Sequence, residues 1–331
     1  MPNNPFIIAE ISCNHLGDKH RALDLILAAK NAGADAVKFQ AYLPYEIAAD
    51  AMITSGPWAG RNYQELYLAG YTPWDWFDEL FTFSRSIGIV PFASPFSEAA
   101  VEFLEREVDC PIYKIASPEI IHLPLIAAAA QTRKPLIIST GMAELSEIYT
   151  ADEIARCHGA TDITYLHCIS SYPANPEDFK LATLTRMINH GFHVGLSDHS
   201  LSNVASISAV ALGAIVIEKH LTLSRADGGA DAKFSLEPHE FAAMVTDCRT
   251  AAKAIGEVTF GCRASEKDSY QYRRSVWLVK DVEAGHVITE DDLAILRPNY
   301  GANPSYFDIF VGMKARHDMK AGTPMLGVDL E

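Results

Sequence analysis

Two histidines stand at the ends of successive apolar runs. His199 ends the segment Gly-Leu-Ser-Asp-His, and His220 ends Val-Ile-Glu-Lys-His 21 residues later. In a closed parallel barrel, that spacing would put both imidazoles on neighbouring strands at the same rim. Two neutral imidazoles can bind a divalent metal and leave its other positions to water and substrate. We therefore predict a metal site at His199 and His220, the alternative being two hydrogen-bonded core histidines.

The ends of the other apolar runs are polar, whereas barrel cores favour Val, Ile and Leu. Such charges in one mouth are expensive to desolvate unless they bind something. Lys38 and Lys114 beside serines suit a phosphate or carboxylate, although each could pair with a glutamate or form a Schiff base. Glu119 could orient or deprotonate a water, or be a loop charge or helix cap. The polar residues are Glu10, Lys38, Gln40, Ser94, Lys114, Ser117, Glu119, Ser139, Ser170, Tyr172, Ser197 and Glu218.

Eight apolar runs alternate with eight amphipathic stretches, the pattern of a (β/α)8 barrel. The expected strands are 5–12, 36–42, 89–94, 112–117, 135–140, 163–170, 193–199 and 214–222. The expected helices are 19–32, 73–87, 97–107, 122–131, 145–157, 178–190, 203–212 and 237–255. An open doubly wound sheet is disfavoured because no G-x-G-x-x-G follows the first strand. We predict an α/β fold, a TIM barrel whose strand ends carry the site.

Two further regions depart from this alternation. The connection 43–72 is long and carries Trp58, Tyr63 and Tyr67, a length typical of functional loops and an aromatic content that argues against disorder. Beyond residue 256, short apolar runs are broken by glycines and prolines, which indicates a small, mostly β unit. We expect a barrel domain at 1–258, a linker at 259–274 and a second domain at 275–331.

Composition narrows the classes of partner. The 331 residues are 49% hydrophobic and carry a formal net charge of −15, which disfavours nucleic acid and anionic membranes as partners. An anionic small substrate would need a local cationic pocket.

Six scattered cysteines form no C-x-x-C pair and are expected to be reduced. No signal-peptide pattern or apolar run of roughly 18 residues is found, so a cytoplasmic location is expected.

The motifs at the strand ends resemble the sialic acid synthase family, whose members condense phosphoenolpyruvate with an N-acetylated amino sugar. They cover nearly the whole barrel in order. The tail resembles the family's antifreeze-like domain, with Arg297 at the place of its sugar-contacting arginine. The matching motifs are Ile8-Ala-Glu-Ile with Asn14-His15, Ala36-Val-Lys-Phe-Gln, Ala93-Ser-Pro-Phe, Tyr113-Lys-Ile-Ala-Ser with Glu119, Ser139-Thr-Gly-Met, Gly195-Leu-Ser-Asp-His and Glu218-Lys-His.

Within that family the chain is most similar to the pseudaminic acid synthases. The similarity lies in the insertion around Trp58 to Trp76 and in the stretch from Gly228 to Pro238. It implies a metal-dependent condensation of phosphoenolpyruvate with 2,4-diacetamido-2,4,6-trideoxy-L-altrose, giving a nine-carbon 2-keto acid and phosphate. The alternative is an N-acetylneuraminate or legionaminate synthase, which would use N-acetylmannosamine or its 6-deoxy diacetamido analogue.

The resemblance also implies roles for residues. His199 and His220 would bind Mn²⁺ or Mg²⁺, and Glu119, with Glu10 and Lys114, would act in catalysis. The family further implies a domain-swapped homodimer. Phosphoenolpyruvate would be held by Lys38, Ser94, Lys114, Ser117, Ser139 and Ser197. The open-chain sugar would be held by Gln40, Tyr172, Glu218, Asp231 and Arg297, with Ser170 as a further substrate contact.

Two other classes of function stay open at this point. A metal-independent aldolase would form a Schiff base on Lys38 or Lys114 and would be trapped by borohydride. A non-enzymatic scaffold would bind a sugar or polyol phosphate without turnover.

Overall fold

Residues 4–56 and 58–331 are described in a computed structural model of the chain. The chain divides into two compact units, the first ending at Gly256 and the second comprising Glu257–Glu331. In the described residues no helix is both long and apolar enough to cross a lipid bilayer.

The first unit is a closed barrel of eight parallel strands in chain order. Closure is made by β8 pairing with β1, where His220 lies opposite Glu10. The predicted TIM barrel is therefore confirmed. The strands are β1 Phe6–Glu10, β2 Ala36–Ala41, β3 Val90–Pro95, β4 Tyr113–Ile115, β5 Leu136–Ser139, β6 Ile163–Cys168, β7 His193–Asp198 and β8 Val216–His220.

Most of the helices surround these strands and pack buried residues against them, whereas the short helix Pro44–Ile47 has no buried residue. A typical case is α5, which begins at the cap Ser97, buries Val101 and Leu104, and ends at Asp109 with a left-handed φ of 46°. The capping hydroxyl accepts a hydrogen bond from the amide of Ala100, one of the free helix-start donors. The helices are α1 Lys19–Asn31, α2 Pro44–Ile47, α3 Tyr63–Gly70, α4 Phe77–Ser86, α5 Glu98–Val108, α6 Leu123–Gln131, α7 Leu145–Cys157, α8 Ala182–Asn189, α9 Val204–Ala211 and α10 Pro238–Ile255.

The long connection between β2 and α4 contains α2 and α3, neither of which was predicted. Asn62 caps α3 by accepting hydrogen bonds from the amides of Gln64 and Glu65. At the other end of α3, a Cβ on Gly70 would collide with the sulfur of Cys13. The connection is therefore folded tightly onto the loop that follows β1.

The second unit has its own apolar core, which includes Val276, Leu278 and Phe310. Its regular structure is a two-stranded antiparallel sheet of β9 Ser275–Leu278 and β10 Leu293–Leu296, with the short helix α11 Phe307–Phe310. Isolated bridges such as Val282 with Met319 extend the strand-like pairing. The predicted small, mostly β second domain is confirmed in kind, although much of its chain is irregular.

Candidate active site

Four charged side chains form a buried ionic network in the mouth of the barrel. Lys38 Nζ lies 2.5 Å from Glu10 Oε2 and 3.7 Å from Glu218 Oε1. Lys114 Nζ lies 3.6 Å from the other oxygen of Glu218. All four residues are at most 4% exposed. Glu10 ends its strand, and the other three residues lie within theirs. Because the strands of the closed barrel run parallel, the four side chains meet in its interior.

The pKa values of Lys38, Lys114 and Glu218 are shifted in different directions. Burial acts to lower the pKa of Lys38, but the carboxylates of Glu10 and Glu218 raise it overall. Burial lowers the pKa of Lys114, which Glu218 only partly offsets. The same two lysines lower the pKa of Glu218 in spite of its burial. An anion entering the mouth would therefore find Lys114 short of negative partners and stabilise its charged form.

A cradle of hydroxyls lies at the ends of β4, β5 and β6. Ser117 Oγ accepts a hydrogen bond from the amide of Gly141 at 3.1 Å. A Cβ on Gly141 would lie 2.7 Å from Ser117 Oγ and collide with Ser170 Oγ. The buried hydroxyls of Ser139 and Ser170 have no hydrogen-bond partner within the described chain. Unpaired donors around a space kept open by glycine suit a phosphate or carboxylate.

Glu119 follows β4 and points a free carboxylate oxygen into the protein. Its Oε2 is buried without a hydrogen-bond partner in the described chain. Burial raises the pKa of Glu119 to about 7, and the negative charge of Glu119 adds to the burial that raises the pKa of Tyr67 on α3. A carboxyl that titrates near neutrality can take up or release a proton.

His199 and His220 face each other across β7 and β8, with ring centroids 5.4 Å apart. His199 Nδ1 lies 2.9 Å from the carbonyl oxygen of Ile169. Burial lowers the pKa of His199, but Cys168 and the Ile169 carbonyl raise it overall. A bound cation would favour the neutral ring, in which this contact holds the proton on Nδ1 and leaves the lone pair on Nε2, the arrangement typical of metal-binding histidines. His220 Nδ1 is buried with no hydrogen-bond partner in the described chain and lies 3.6 Å from Asp231 Oδ2.

These donors fit a divalent cation. Burial drives the pKa of His220 well below its usual value, so its imidazole is neutral. Burial raises the pKa of Asp231 to about 7, with Glu10 as the second cause, and a cation would favour its charged form. No three His, Cys, Asp or Glu residues of the described chain are grouped closely enough to hold a metal ion alone. Water or substrate oxygens would have to complete the shell.

Aromatic rings form one wall beside the histidines. Tyr172 lies with its centroid 4.4 Å from that of His199 and 4.9 Å from that of Phe234. Trp58, from the long connection, lies 5.6 Å from Tyr172. Phe234 also meets His220 edge-on at 5.0 Å. The wall offers apolar surface to a ligand held by the two imidazoles.

Of the remaining residues predicted from the sequence, some lie in the barrel and one lies in the second unit. Ser94 Oγ accepts a hydrogen bond from Lys38 at 3.3 Å, and Ser197 Oγ donates one to Glu218 at 3.2 Å. Gln40 lies opposite Ser94 in the strand register. Arg297 follows β10 in the second unit.

Sequence reasoning missed two residues of the site. Cys168 ends β6, with its sulfur 3.8 Å from His199 Nδ1, and Phe234 packs between Tyr172 and His220. From the sequence, Cys168 is only one of six cysteines expected to be reduced, and Phe234 is only part of the stretch from Gly228 to Pro238 that carries the family resemblance. The position of Cys168 at a strand end was the one signal that could have found it.

Two family models match the chain. The NeuB family matches residues 25–260, and the SAF domain matches residues 273–331. The chain is 38% identical over 335 residues to the pseudaminic acid synthase of Helicobacter pylori, covering 99% of this chain and 98% of that protein. It is 33% identical over 341 residues to the N,N'-diacetyllegionaminic acid synthase of Legionella pneumophila, covering 98% and 94%.

A solved structure agrees with these relatives. The N-acetylneuraminic acid synthetase of Leptospira borgpetersenii, crystallised in complex with citrate, superposes with a TM-score of 0.73 at 37% identity. The match covers 82% of this chain and 92% of that one.

Proposed function

The chain belongs to the NeuB family and is an enzyme of the transferase class, and we propose that it condenses phosphoenolpyruvate with an N-acetylated amino sugar to give a nine-carbon 2-keto acid and phosphate. Family membership confirms the resemblance drawn from the motifs. The observation that carries the proposal is the placement of a cationic serine-lined cradle and a pair of histidines in one barrel mouth. The first suits phosphoenolpyruvate, and the second suits a metal that binds the sugar.

Phosphoenolpyruvate is assigned to the lysine and serine side of the mouth. Lys38 and Lys114 offset its phosphate and carboxylate charges, and Ser94, Ser117 and Ser139 donate hydrogen bonds to its oxygens. Ser170 and Ser197 extend this hydroxyl surface. The protein as a whole carries a net charge of −15. The two lysines would therefore provide the local positive charge that an anionic substrate needs.

His199 and His220 would hold Mn²⁺ or Mg²⁺, with Asp231 beside them. When bound, the metal supplies Lewis-acid polarisation of the sugar aldehyde. Gln40, Tyr172, Glu218 and Asp231 position the open-chain sugar so that its carbonyl carbon faces C3 of phosphoenolpyruvate.

The remaining residues act on the phosphoenolpyruvate carbons. As C3 bonds to the aldehyde carbon, positive charge develops at C2, and the carboxylates of Glu10 and Glu218 stabilise it. Glu119 orients a water toward C2 and accepts one of its protons. The water oxygen bonds to C2, and the proton that Glu119 accepted is passed to the alkoxide formed from the aldehyde. The C2–O bond then breaks, phosphate leaves with the bridging oxygen and the proton of the C2 hydroxyl, and C2 becomes the ketone of the product.

We assign the sugar as 2,4-diacetamido-2,4,6-trideoxy-L-altrose, which makes the enzyme a pseudaminic acid synthase. Support comes from the higher identity to the Helicobacter pylori protein than to the legionaminic acid synthase. The aromatic wall of Trp58, Tyr172 and Phe234 offers apolar contact for the methyl group of a 6-deoxy sugar. Legionaminate and neuraminate synthesis are the alternatives that the same relatives suggest.

We also propose that the enzyme works as a domain-swapped homodimer. In this arrangement Arg297 of one chain contacts the sugar in the barrel of the other, as the resemblance to the family implies. An arginine suits a sugar's hydroxyl and acetamido oxygens because its guanidinium carries several donors in a fixed plane.

The test is phosphate release from phosphoenolpyruvate with Mn²⁺ and one of three acceptors: the diacetamido altrose, N-acetylmannosamine, or 2,4-diacetamido-6-deoxymannose. Each is run with and without a chelator. Chelator-sensitive release with the altrose sugar alone is expected. Release with another sugar would overturn the sugar assignment only, and chelator-resistant release with borohydride trapping on Lys38 or Lys114 would favour a Schiff-base aldolase. Binding without release would favour the scaffold.

A further inference from the structure

A second buried ion pair lies directly behind the two histidines, on the outer face of the same strands. Lys219 Nζ is 2.7 Å from Asp198 Oδ2, and both side chains are 0% exposed. Asp198 and Lys219 lie opposite each other in the register of β7 and β8. Because successive strand residues point to opposite faces, this pair faces α9 while the neighbouring His199 and His220 face the mouth.

Every polar atom of this pair is used. Asp198 Oδ1 accepts hydrogen bonds from the amide and the hydroxyl of Ser200, at 2.9 and 2.8 Å. Asp198 Oδ2 accepts one from Ser206 Oγ on α9 at 2.7 Å. Lys219 Nζ also donates to the carbonyl oxygen of Ser202 at 3.1 Å. The network therefore ties β7, β8, α9 and the loop between β7 and α9 to one another.

The network encloses the backbone of His199. The bond from the Ser200 amide to the Asp198 carboxylate closes a turn whose central residue is His199. Lys219 immediately precedes His220, so the ion pair fixes the distance between the two chain segments that carry the imidazoles. A buried ion pair is weak evidence for stability, because apolar residues of similar volume often replace one at little cost.

We propose that Asp198 and Lys219 are a positioning pair, which holds His199 and His220 at the separation that a divalent cation requires. This inference rests on the proposed metal-dependent function. The outer partners that orient metal ligands influence affinity strongly even though they never touch the metal. Asp198 and Lys219 act here through the strand ends, whereas Ile169 acts on the His199 ring itself.

The experiment measures Mn²⁺ binding to metal-free protein by calorimetry, with phosphoenolpyruvate binding and thermal unfolding measured on the same samples. Asp198→Asn and Lys219→Met each keep the side-chain volume and remove one charge. Both are expected to raise the Kd for Mn²⁺ by about 10- to 100-fold and to leave the Kd for phosphoenolpyruvate unchanged. Because the pair acts as a unit, the double variant is expected to lose no more affinity than the worse single variant.

Lys134→Met is the matched control. It removes ion pairs of 2.6 and 2.7 Å with Glu105 and Asp109 at the opposite end of the barrel, so it should lower the unfolding temperature without changing Mn²⁺ affinity. If the charge-removing variants fail to fold, Ser206→Ala removes a single hydrogen bond to Asp198 and should weaken Mn²⁺ binding severalfold.

Three outcomes would overturn this account at different levels. Folded Asp198→Asn and Lys219→Met proteins that bind Mn²⁺ as tightly as the unmodified chain would make the pair purely structural. Loss of phosphoenolpyruvate and Mn²⁺ affinity together would mean general disruption of the mouth. Failure of the unmodified protein to bind Mn²⁺, with His199→Ala behaving identically, would refute the proposed metal site itself.

Discussion

The carboxyl groups in the barrel mouth have pKa values that are shifted in opposite directions. Burial raises the pKa of Glu119 and of Asp231 to about 7, whereas Lys114 and Lys38 lower the pKa of Glu218 against its burial. Divergent pKa values within one site separate groups that exchange protons from groups that stay charged. Glu218 is therefore suited to stabilise positive charge, and Glu119 to move a proton.

Glu119→Gln should lower kcat by about 10²- to 10⁴-fold, because the amide cannot accept a proton from water. The unmodified enzyme should gain activity as pH rises through about 7, where Glu119 ionises, and the variant should lack this dependence. The measurement is a pH profile of phosphate release. A variant that keeps full activity and the same profile would remove Glu119 from the mechanism.

The same carboxyl should make stability depend on pH. Its pKa in the folded chain, about 7, is above its unfolded value of about 4.3, so folding favours the protonated form. Its contribution is complete below the unfolded pKa and is lost as pH rises through 7. Urea unfolding at about pH 5 and about pH 8 should show a smaller stability loss in Glu119→Gln than in the unmodified protein. Equal losses would contradict the burial of this carboxyl.

Gly141→Ala tests the hydroxyl cradle. The added Cβ would occupy the space between Ser117 Oγ and Ser170 Oγ, so the KM for phosphoenolpyruvate should rise by at least about tenfold while the KM for the sugar changes little. Gly327→Ala is the control, since nothing lies within 4 Å of a Cβ there. A larger rise in the KM for the sugar than in the KM for phosphoenolpyruvate would contradict the assignment of the cradle to phosphoenolpyruvate.

At the scale of elements, sequence patterns were sufficient for the barrel but not for everything attached to it. Long apolar runs identify strands buried on both faces, and parallel strands bring their polar ends to one rim. That is why Lys38, Lys114, His199 and His220 could be grouped without coordinates. Helix α3 was missed because it buries only Gly70, so its sequence lacks the apolar stripe by which an amphipathic helix is recognised.

Contacts that depend on the strand register and on the path of loops could not be predicted from the sequence. The packing of Trp58 on Tyr172 joins residues 114 positions apart, and no local pattern encodes it. In the sequence, Asp198 and Lys219 stand out only as the residues that immediately precede the two histidines. Their pairing became evident once the β7–β8 register placed them opposite each other.

The long connection between β2 and α4 should govern sugar recognition. Trp58→Ala and Tyr67→Ala should raise the KM for the diacetamido sugar far more than the KM for phosphoenolpyruvate, because Trp58 packs on Tyr172, which is assigned to the sugar, and Tyr67 lies on α3 of the same connection. Leu68→Ala, on the same helix but 64% exposed, is the matched control. Equal effects on both substrates would reject a specificity role for the connection.

At the scale of the whole molecule, the proposed domain-swapped homodimer would need two chains to complete one site. Mixing an Arg297→Ala chain with a His199→Ala chain should restore activity, because one barrel in the mixed dimer then has intact histidines and an intact arginine from its partner. Each variant alone should be nearly inactive. The measurement is turnover of the purified mixed dimer, and absence of any recovery would contradict the exchange of the second domain.

The central claim, condensation with cleavage of the C2–O bond of phosphoenolpyruvate, is tested most directly with substrate labelled by ¹⁸O at the bridging oxygen. The enzyme converts the labelled compound in the presence of Mn²⁺ and the diacetamido altrose, and the masses of both products are measured by mass spectrometry. The account predicts that the label appears in phosphate and that the nine-carbon acid carries none. Phosphate without label would show cleavage of the P–O bond and would contradict the attack of water at C2.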